Sequence, residues 1–337
     1  MKHRAELDRI RGIAVTMVLI GHLHVFGLQP KIAADIGPFG VTVFFALSGY
    51  LITSILLREW ERHRRVNLLG FYQRRARRLF PALGLLLLAV AATAFVDGPA
   101  LLPHLLPVIF YVGNYFRTPE ALGHTWSLAV EEQFYITWPV LLWFSLSRLG
   151  RRRTAYLAVG VLAALAIWDL HVSMVDVGRM AGSTDTNAIK LTAGCVFALL
   201  PPIRVNTVVV AAALLGVLVL CFASPPDGAH DWVVAEPVVA VLTAFVLSSV
   251  QLTTIVGRLL AMKPLTHVGK ISYGIYLWHI PILFYIAPAL QGGWYSSAPS
   301  YVRGIILSLI IWVTAILSYE LLERHFTRQP SLLVSPA

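Results

Sequence analysis

Two histidines and an arginine near the start of the chain have the types and spacing of a buried reactive site. His22 and His24 stand among apolar residues, and Arg11 precedes His22 by eleven positions. That step is about three helical turns, so Arg11 and His22 share one helix face about 16 Å apart. An imidazole can take a proton from an alcohol at neutral pH. A structural histidine bonded to a neighbouring helix is the alternative.

Acidic, hydroxyl and aromatic side chains form a second group further along the chain. Ser127, Glu131 and Tyr135 recur at four-residue steps and therefore share one helix face. Thr125 can cap the start of that helix. Of the adjacent carboxylates of Glu131 and Glu132, we expect one to be solvated at a membrane interface. A polar acceptor molecule could be positioned by the other carboxylate and its aromatic neighbour.

A third histidine lies in an aromatic segment near the C-terminus. Tyr276 and Trp278 alone would be typical of aromatic residues at a membrane interface. His22, however, is predicted to lie near the middle of the membrane, and His279 at a similar depth. Ionisable groups inside the membrane are costly and usually functional.

Four arginines precede the third apolar segment, within a predicted loop over 58–80 that ends at Pro81. They are Arg74, Arg75, Arg77 and Arg78. Such a cluster can be only a signal for membrane orientation. It can also be an anion site, because guanidinium groups match phosphates in geometry.

The pair Ser48 and Gly49 interrupts the second apolar segment. Small residues inside a membrane helix allow a close approach of another backbone. Packing alone explains the pair as well as a chemical role does.

These residues are set in long apolar stretches. Hydrophobic residues make up 57% of the chain and charged residues 13%, against about 25% charged in soluble domains. This composition excludes disorder. The formal net charge of +10 would suggest a nucleic-acid partner, but the basic residues are confined to short segments between apolar runs. We predict no nucleic acid and, because Cys195 and Cys221 lie in apolar stretches, no disulfide framework or metal site.

The apolar runs have the length of membrane-spanning helices, about 20 residues each. They lie near 10–28, 37–57, 79–97, 126–147, 154–171, 188–203, 205–223, 232–251, 271–290 and 302–322. The fold class predicted is all-α, a polytopic membrane bundle of about ten transmembrane helices. The stretch 100–116 contains Pro103, Pro107 and Asn114 and is predicted to be re-entrant or superficial.

Lysine and arginine positions predict the orientation. With the N-terminus in the cytoplasm and 100–116 not crossing, the side away from the cytoplasm keeps only Lys31, Arg117, Arg179, Lys190 and Arg303. A full crossing by 100–116 would instead turn the basic loop 148–153 outward. We therefore predict a multi-pass protein of the cell membrane with both termini cytoplasmic, one membrane domain over 1–325 and a short cytoplasmic tail over 326–337.

Five motifs in order resemble those of the acyltransferase family 3 membrane proteins. They are LDRIRGIA at Leu7–Ala14 followed by His22, FFALSGYL at Phe44–Leu51, FYQRRARRLFP at Phe71–Pro81, TWSLAVEEQFY at Thr125–Tyr135 and SYGIYLWHIP at Ser272–Pro281. Each motif alone is weakly specific, but the five together cover nearly the whole chain.

The resemblance implies a membrane O-acyltransferase that moves an acyl group, commonly acetyl from acetyl-CoA, to a hydroxyl. Acyl-CoA is then a co-substrate, and no cofactor is bound. The implied acceptor is a hydroxyl-bearing glycan or a glycosylated natural product such as a macrolide. The lipid bilayer is the other partner.

Site roles follow from the resemblance by position. His22 is the implied catalytic histidine, with Glu131 and His279 lining the reaction chamber. The implied acyl-CoA ligands are Arg11, Arg74, Arg75, Arg77 and Arg78. The implied supporting residues are Asp8, Ser48, Trp126, Ser127, Tyr135 and Tyr276. We expect direct transfer rather than an acyl-enzyme on Ser48, because nothing adjacent in the sequence would activate that hydroxyl.

One departure from the family pattern bears on the acceptor. The family often has a Thr-Asp-x-Arg-x-Asp run where Thr184–Ile189 stands, and the arginine and second acid are missing here. A less polar acceptor is therefore more compatible with this chain than with other members.

Two other classes of function stay open. A transporter of acyl groups or polar metabolites would use the same buried polar residues, although no internal repeat is visible. A scaffold or sensor is the third.

Overall fold

The computed structural model describes residues 5–28, 36–93, 98–180, 182–223, 229–249, 263–290 and 292–328. Within these ranges every regular element is a helix, so the all-α prediction is confirmed. Lys31 lies outside the described residues, as do the ends of the spans predicted at 79–97 and 232–251 and most of the predicted tail.

Ten helices carry the architecture of the described ranges. They are α1 (Ala5–Val25), α2 (Ile36–His63), α3 (Leu68–Ala92), α4 (Trp126–Val175), α5 (Thr184–Leu199), α6 (Thr207–Ala223), α7 (Ala229–Ser249), α8 (Lys263–Lys270), α9 (Ser272–Pro281) and α10 (Ser300–Ser318). After α9 the chain continues through a π-helical turn, Ile282–Ile286, and a second π turn, Tyr319–Glu323, follows α10.

Three helices of the described part are long and apolar enough to cross a membrane, namely Ile36–His63, Glu120–Val175 and Ser300–Phe326. A fourth results if Pro264–Lys270 and Ser272–Ala289, bent by 66°, form one broken span. The prediction of about ten spans is therefore not confirmed. Two physical reasons are visible. Helix α1 carries the charged residues Asp8, Arg9 and Arg11 in its first turns, and α5, with 16 residues, is shorter than a span.

The arginine cluster lies in a helix, so the loop predicted over 58–80 is wrong. Helix α3 begins at Leu68, where the Asn67 side chain accepts a hydrogen bond from the Gly70 N–H at 2.8 Å. Asparagine is a strong helix cap, which explains the early start. Pro81 lies inside α3 instead of beginning a new element. A proline there removes one backbone hydrogen bond but does not end the helix.

Helix α4 contains two of the predicted spans and breaks at Gly150. Its φ of 71° and ψ of 169° are left-handed backbone that favours glycine. Next to the break, Arg151 donates to the carbonyl of Leu199 at 2.9 Å and pairs with Glu61 at 2.8 Å. The break in α4 and the C-terminal ends of α2 and α5 therefore lie at the same end of the bundle.

The segment 100–116 forms no span-length helix. A 3₁₀ helix, Pro99–Leu105, leads into a single turn, Leu106–Ile109, and irregular chain follows. The prolines predicted to interrupt the segment lie within these short helices.

Close packing of α2 against α5 places the residues around Ser48. A Cβ on Gly49 would overlap the carbonyl oxygen of Leu191, and one on Gly194 would overlap that of Ala46. Small residues at these positions let the two backbones meet, as expected for membrane helices. The outer faces of the bundle carry exposed apolar side chains, for example Ile167 and Leu321. Such surfaces suit contact with lipid.

Candidate active site

Most of the predicted site residues line one pocket between α1, α2, α3, α4 and α9. Arg11, Ser48, Arg75, Arg78, Ser127, Glu131, Tyr135 and Tyr276 all contribute to its wall. Apolar residues of α2, among them Phe44 and Phe45, complete it. The pocket has a volume of about 90 Å³. We call it the arginine pocket.

Helical spacing divides the arginine cluster. Arg75 and Arg78 are three residues apart on α3 and face the arginine pocket together. Arg74 is exposed, and neither Arg74 nor Arg77 contributes to the pocket wall. The sequence identified the cluster, and the helix geometry selects two of its four members.

Arg75 is held rigidly by residues of α4. Its Nε and Nη2 donate to the same carboxylate oxygen of Glu132, at 2.9 and 2.6 Å. Its guanidinium carbon lies 3.2 Å from the centre of the Tyr135 ring. Glu132 is thus bound in an ion pair, with a side chain only 14% exposed, rather than free in solvent.

Arg11 and Asp8 lie in the N-terminal half of α1, at the edge of the predicted site. Their side chains lie 3.6 Å apart on successive turns of α1, and Asp8 is buried. An aspartate at this distance orients a guanidinium that faces the pocket.

Glu131 accepts a hydrogen bond from the Ser48 hydroxyl at 2.7 Å. The two residues come from α4 and α2, so the contact exists only because the helices pack together. A partner for Ser48 is therefore present in space although none is adjacent in the sequence. A carboxylate accepting from a serine hydroxyl orients it and increases its negative character.

Tyr276 joins the arginine pocket to the histidines. Its hydroxyl bonds with the Ser127 hydroxyl and donates to the His124 carbonyl at 3.0 Å. The Tyr276 ring centre lies 5.4 Å from that of His279 and 5.5 Å from that of His124. Tyr276 thus lines the arginine pocket and also contacts the imidazole rings of His124 and His279.

Three imidazoles meet next to Tyr276, and we call them the histidine cluster. The ring of His279 lies 4.8 Å from that of His22 and 4.9 Å from that of His124. His22 and His279 are therefore neighbours in space. Neither of them contributes to the wall of the arginine pocket.

His124 and Glu132 are residues whose part in the site sequence reasoning missed. His124 stands directly before the motif that begins at Thr125, which was the one available signal.

The predicted cap at Thr125 is wrong. Its hydroxyl donates back to the Leu122 carbonyl at 2.7 Å, because a 3₁₀ helix, Glu120–Thr125, precedes α4 and keeps Thr125 helical. Trp126 packs against Phe45 rather than facing the pocket.

The run that departs from the family pattern is used within the protein. Thr184 donates to Gln133 at 2.5 Å and accepts from Asn114 at 2.9 Å. Asp185 pairs with Arg179 at 2.7 Å. The polar side chains of Thr184 and Asp185 are thus engaged by other residues of this chain.

Among the described residues, no group of three or more His, Cys, Asp or Glu side chains has the geometry to hold a metal ion. Both cysteines, Cys195 and Cys221, are buried and free.

The chain matches a known family over most of its length. A family model described as an acyltransferase domain covers residues 4–318. The chain belongs to acyltransferase family 3. Family membership and the span-length apolar helices together make it a membrane protein.

Two curated relatives are similar over nearly all of this chain. Peptidoglycan O-acetyltransferase OatA of Listeria monocytogenes is 31% identical, with 96% of this chain and 55% of the relative covered. O-acetyltransferase OatA of Staphylococcus aureus is 32% identical, with 94% and 56% covered. The chain thus spans just over half the length of the curated relatives it matches. No solved structure matches it.

Proposed function

We propose that this chain is a membrane O-acetyltransferase that moves an acetyl group from acetyl-CoA to a hydroxyl of a glycan. The arginine pocket beside the histidine cluster carries the proposal, because it sets an anion-binding wall next to candidate bases. Family membership and the names of the relatives support the reaction type.

The donor proposed is acetyl-CoA. Coenzyme A carries phosphates, which guanidinium groups bind well. A space of about 90 Å³ suits a thioester end rather than a nucleotide. We therefore propose that the thioester enters beside Arg11 and Arg75, while Arg74 and Arg77, outside the pocket, meet the phosphates.

The acceptor proposed is a cell-surface glycan of the peptidoglycan kind, since one relative is named for that substrate. A macrolide or another glycosylated natural product is the alternative, motivated by the altered run at Thr184–Ile189. A panel of acceptors distinguishes the two.

The chemical step assigned to His22 is a proton transfer. Its Nδ1 donates to the Val18 carbonyl at 2.9 Å, which leaves Nε2 as the base. Nε2 takes the proton of the acceptor hydroxyl as its oxygen attacks the thioester carbonyl. The carbon–sulfur bond then breaks, and the imidazolium returns the proton to the thiolate, giving an ester and free coenzyme A.

A transfer assay tests the function. Protein purified in detergent is given labelled acetyl-CoA and a panel of peptidoglycan fragments, other glycans and macrolides. Label should appear on one acceptor class, and His22→Ala should abolish transfer at unchanged expression. Full activity of His22→Ala would remove the catalytic assignment. Substrate uptake into proteoliposomes without label transfer would instead support the transporter.

We also propose the predicted orientation, with both termini cytoplasmic, a domain over 1–325 and a tail over 326–337. Arg152 is exposed beside Arg151, and the native cysteines are buried and give little background. Arg152→Cys should resist a membrane-impermeant thiol reagent in intact cells and react after lysis. Labelling in intact cells would require 100–116 to cross fully.

A further inference from the structure

The three rings of the histidine cluster are held in defined tautomers by backbone carbonyls. His22 Nδ1 lies 2.9 Å from the Val18 carbonyl and His279 Nδ1 lies 2.6 Å from the Tyr276 carbonyl. His124 uses the other nitrogen, with Nε2 at 3.2 Å from the Leu277 carbonyl. A carbonyl oxygen only accepts, so each of these nitrogens carries the proton. In the neutral rings the opposite nitrogen is then a bare acceptor.

Two of these bare nitrogens are buried without a protein partner. His124 Nδ1 and His279 Nε2 have no hydrogen-bond partner among the described residues, and the two residues are 5% and 1% exposed. Buried polar atoms nearly always have partners, so such atoms in one cluster need an explanation. The groups that satisfy bare nitrogens are donors, O–H or N–H.

The histidine cluster therefore prefers a ligand that donates hydrogen bonds, whereas the arginine pocket prefers one that accepts them. Phosphate and thioester oxygens only accept, and they would face the lone pairs of the histidine cluster unfavourably. The guanidinium groups of Arg11 and Arg75 offer donors to the same oxygens. A polyhydroxylated molecule suits the histidine side, because each hydroxyl brings one O–H donor.

We propose that His124 Nδ1 and His279 Nε2 form a hydroxyl-binding subsite that holds the acceptor beside His22. This rests on the proposed function and deepens it, by assigning the acceptor to the histidine side and adding His124 to the residues that contact it. One hydroxyl loses its proton to His22, and others donate to His124 and His279 without changing their protonation.

Two substitutions of His124 separate its nitrogens. His124→Gln places an amide N–H near the position of Nε2, so the bond to Leu277 can form, but no acceptor remains at Nδ1. His124→Asn places an amide oxygen near Nδ1 and loses the bond to Leu277. His171→Gln, at an exposed histidine outside the cluster, is the control.

Steady-state kinetics with acetyl-CoA and the N-acetylglucosaminyl-N-acetylmuramic acid disaccharide supply the main measurement. We expect His124→Gln to raise the KM for the disaccharide about fivefold to tenfold, the value of one hydrogen bond, with the KM for acetyl-CoA unchanged. His124→Asn should keep the acceptor KM within about twofold of the unmodified protein, even at lower stability. An unchanged acceptor KM in His124→Gln overturns the subsite.

A binding experiment separates this proposal from the function itself. Without acetyl-CoA, the disaccharide should bind the unmodified protein and bind His124→Gln more weakly, while its permethylated form, which lacks O–H donors, should bind neither. If the unmodified protein transfers no acetyl group but shows this pattern, the acetyltransferase proposal fails and the subsite stands. If it transfers normally and both proteins bind both forms alike, the subsite fails alone.

Discussion

The imidazole rings of His22 and His279 lie 4.8 Å apart with an angle of 68° between their planes. One ring comes from α1 and the other from α9, near opposite ends of the chain. Their edge-to-face contact joins two histidines that the sequence analysis treated separately and predicted to lie at a similar depth in the membrane. Tyr276, one turn before His279, then connects this pair to the arginine pocket.

Arg75 is expected to act through its planar shape as well as its charge. Arg75→Lys keeps the charge but loses the double contact with Glu132 and the stacking on Tyr135. We expect the KM for acetyl-CoA to rise about tenfold, equivalent to about 1.4 kcal/mol. Arg153→Lys, at an exposed arginine, is the control and should change it little. Equal KM values for the two variants would exclude this role of Arg75.

Ser48 distinguishes direct transfer from an acyl-enzyme. If transfer is direct, Ser48→Ala removes only the hydrogen bond to Glu131 and should retain at least about a tenth of the activity. Intact-protein mass spectrometry after incubation with acetyl-CoA alone should find no acetyl group on Ser48. A stable or trapped acetyl group at that residue would instead establish the covalent route, with Glu131 as its activating partner.

Gly49 is expected to be intolerant of any side chain. Gly49→Ala drives a methyl group into the Leu191 carbonyl and should destabilise the protein by about 1–3 kcal/mol, because a backbone oxygen cannot rotate away. Gly84→Ala is the matched control within a helix, since a Cβ there meets nothing within 4 Å. Thermal unfolding in detergent compares them. A melting temperature for Gly49→Ala equal to that of Gly84→Ala would contradict the close packing of α2 on α5.

Lys190 and Glu236 form an ion pair between α5 and α7, with side chains only 6% and 15% exposed. Lys190→Met leaves the carboxylate unpaired and should cost about 3–5 kcal/mol. Adding Glu236→Gln removes that charge and should restore most of the stability. Thermal unfolding is the measurement, and Glu61→Gln in the exposed pair with Arg151 should cost about 1 kcal/mol or less. A double variant no more stable than Lys190→Met would show that the ion pair is not the source of the loss.

Local periodicity predicted the parts of the site that lie along a single helix. Ser127, Glu131 and Tyr135 face the same pocket, because four-residue steps return to one side of a helix. Arg11 also lines this pocket, whereas His22, on the same helix, lies in the neighbouring histidine cluster. The family motifs identified the same residues independently, and composition alone indicated a membrane protein of helices.

The number and limits of the spans were harder to obtain from the sequence. Apolar runs mark where a chain can enter lipid, but they do not show where a helix begins. Helix α3, capped by Asn67, begins well before its apolar part. Where the sequence predicted a basic loop over 148–153, the structure has only a break at Gly150, whose backbone is left-handed. Both outcomes depend on the backbone conformation of one residue, which hydropathy does not measure.

Contacts between helices were decided only by the tertiary structure. The sequence determined that histidines, an arginine cluster and a carboxylate lie on helix faces, because helical geometry relates residues a few positions apart. It did not determine that Glu131 would meet Ser48, or that His124 would join His279. Those pairs come from distant parts of the chain, and their proximity follows from how whole helices pack.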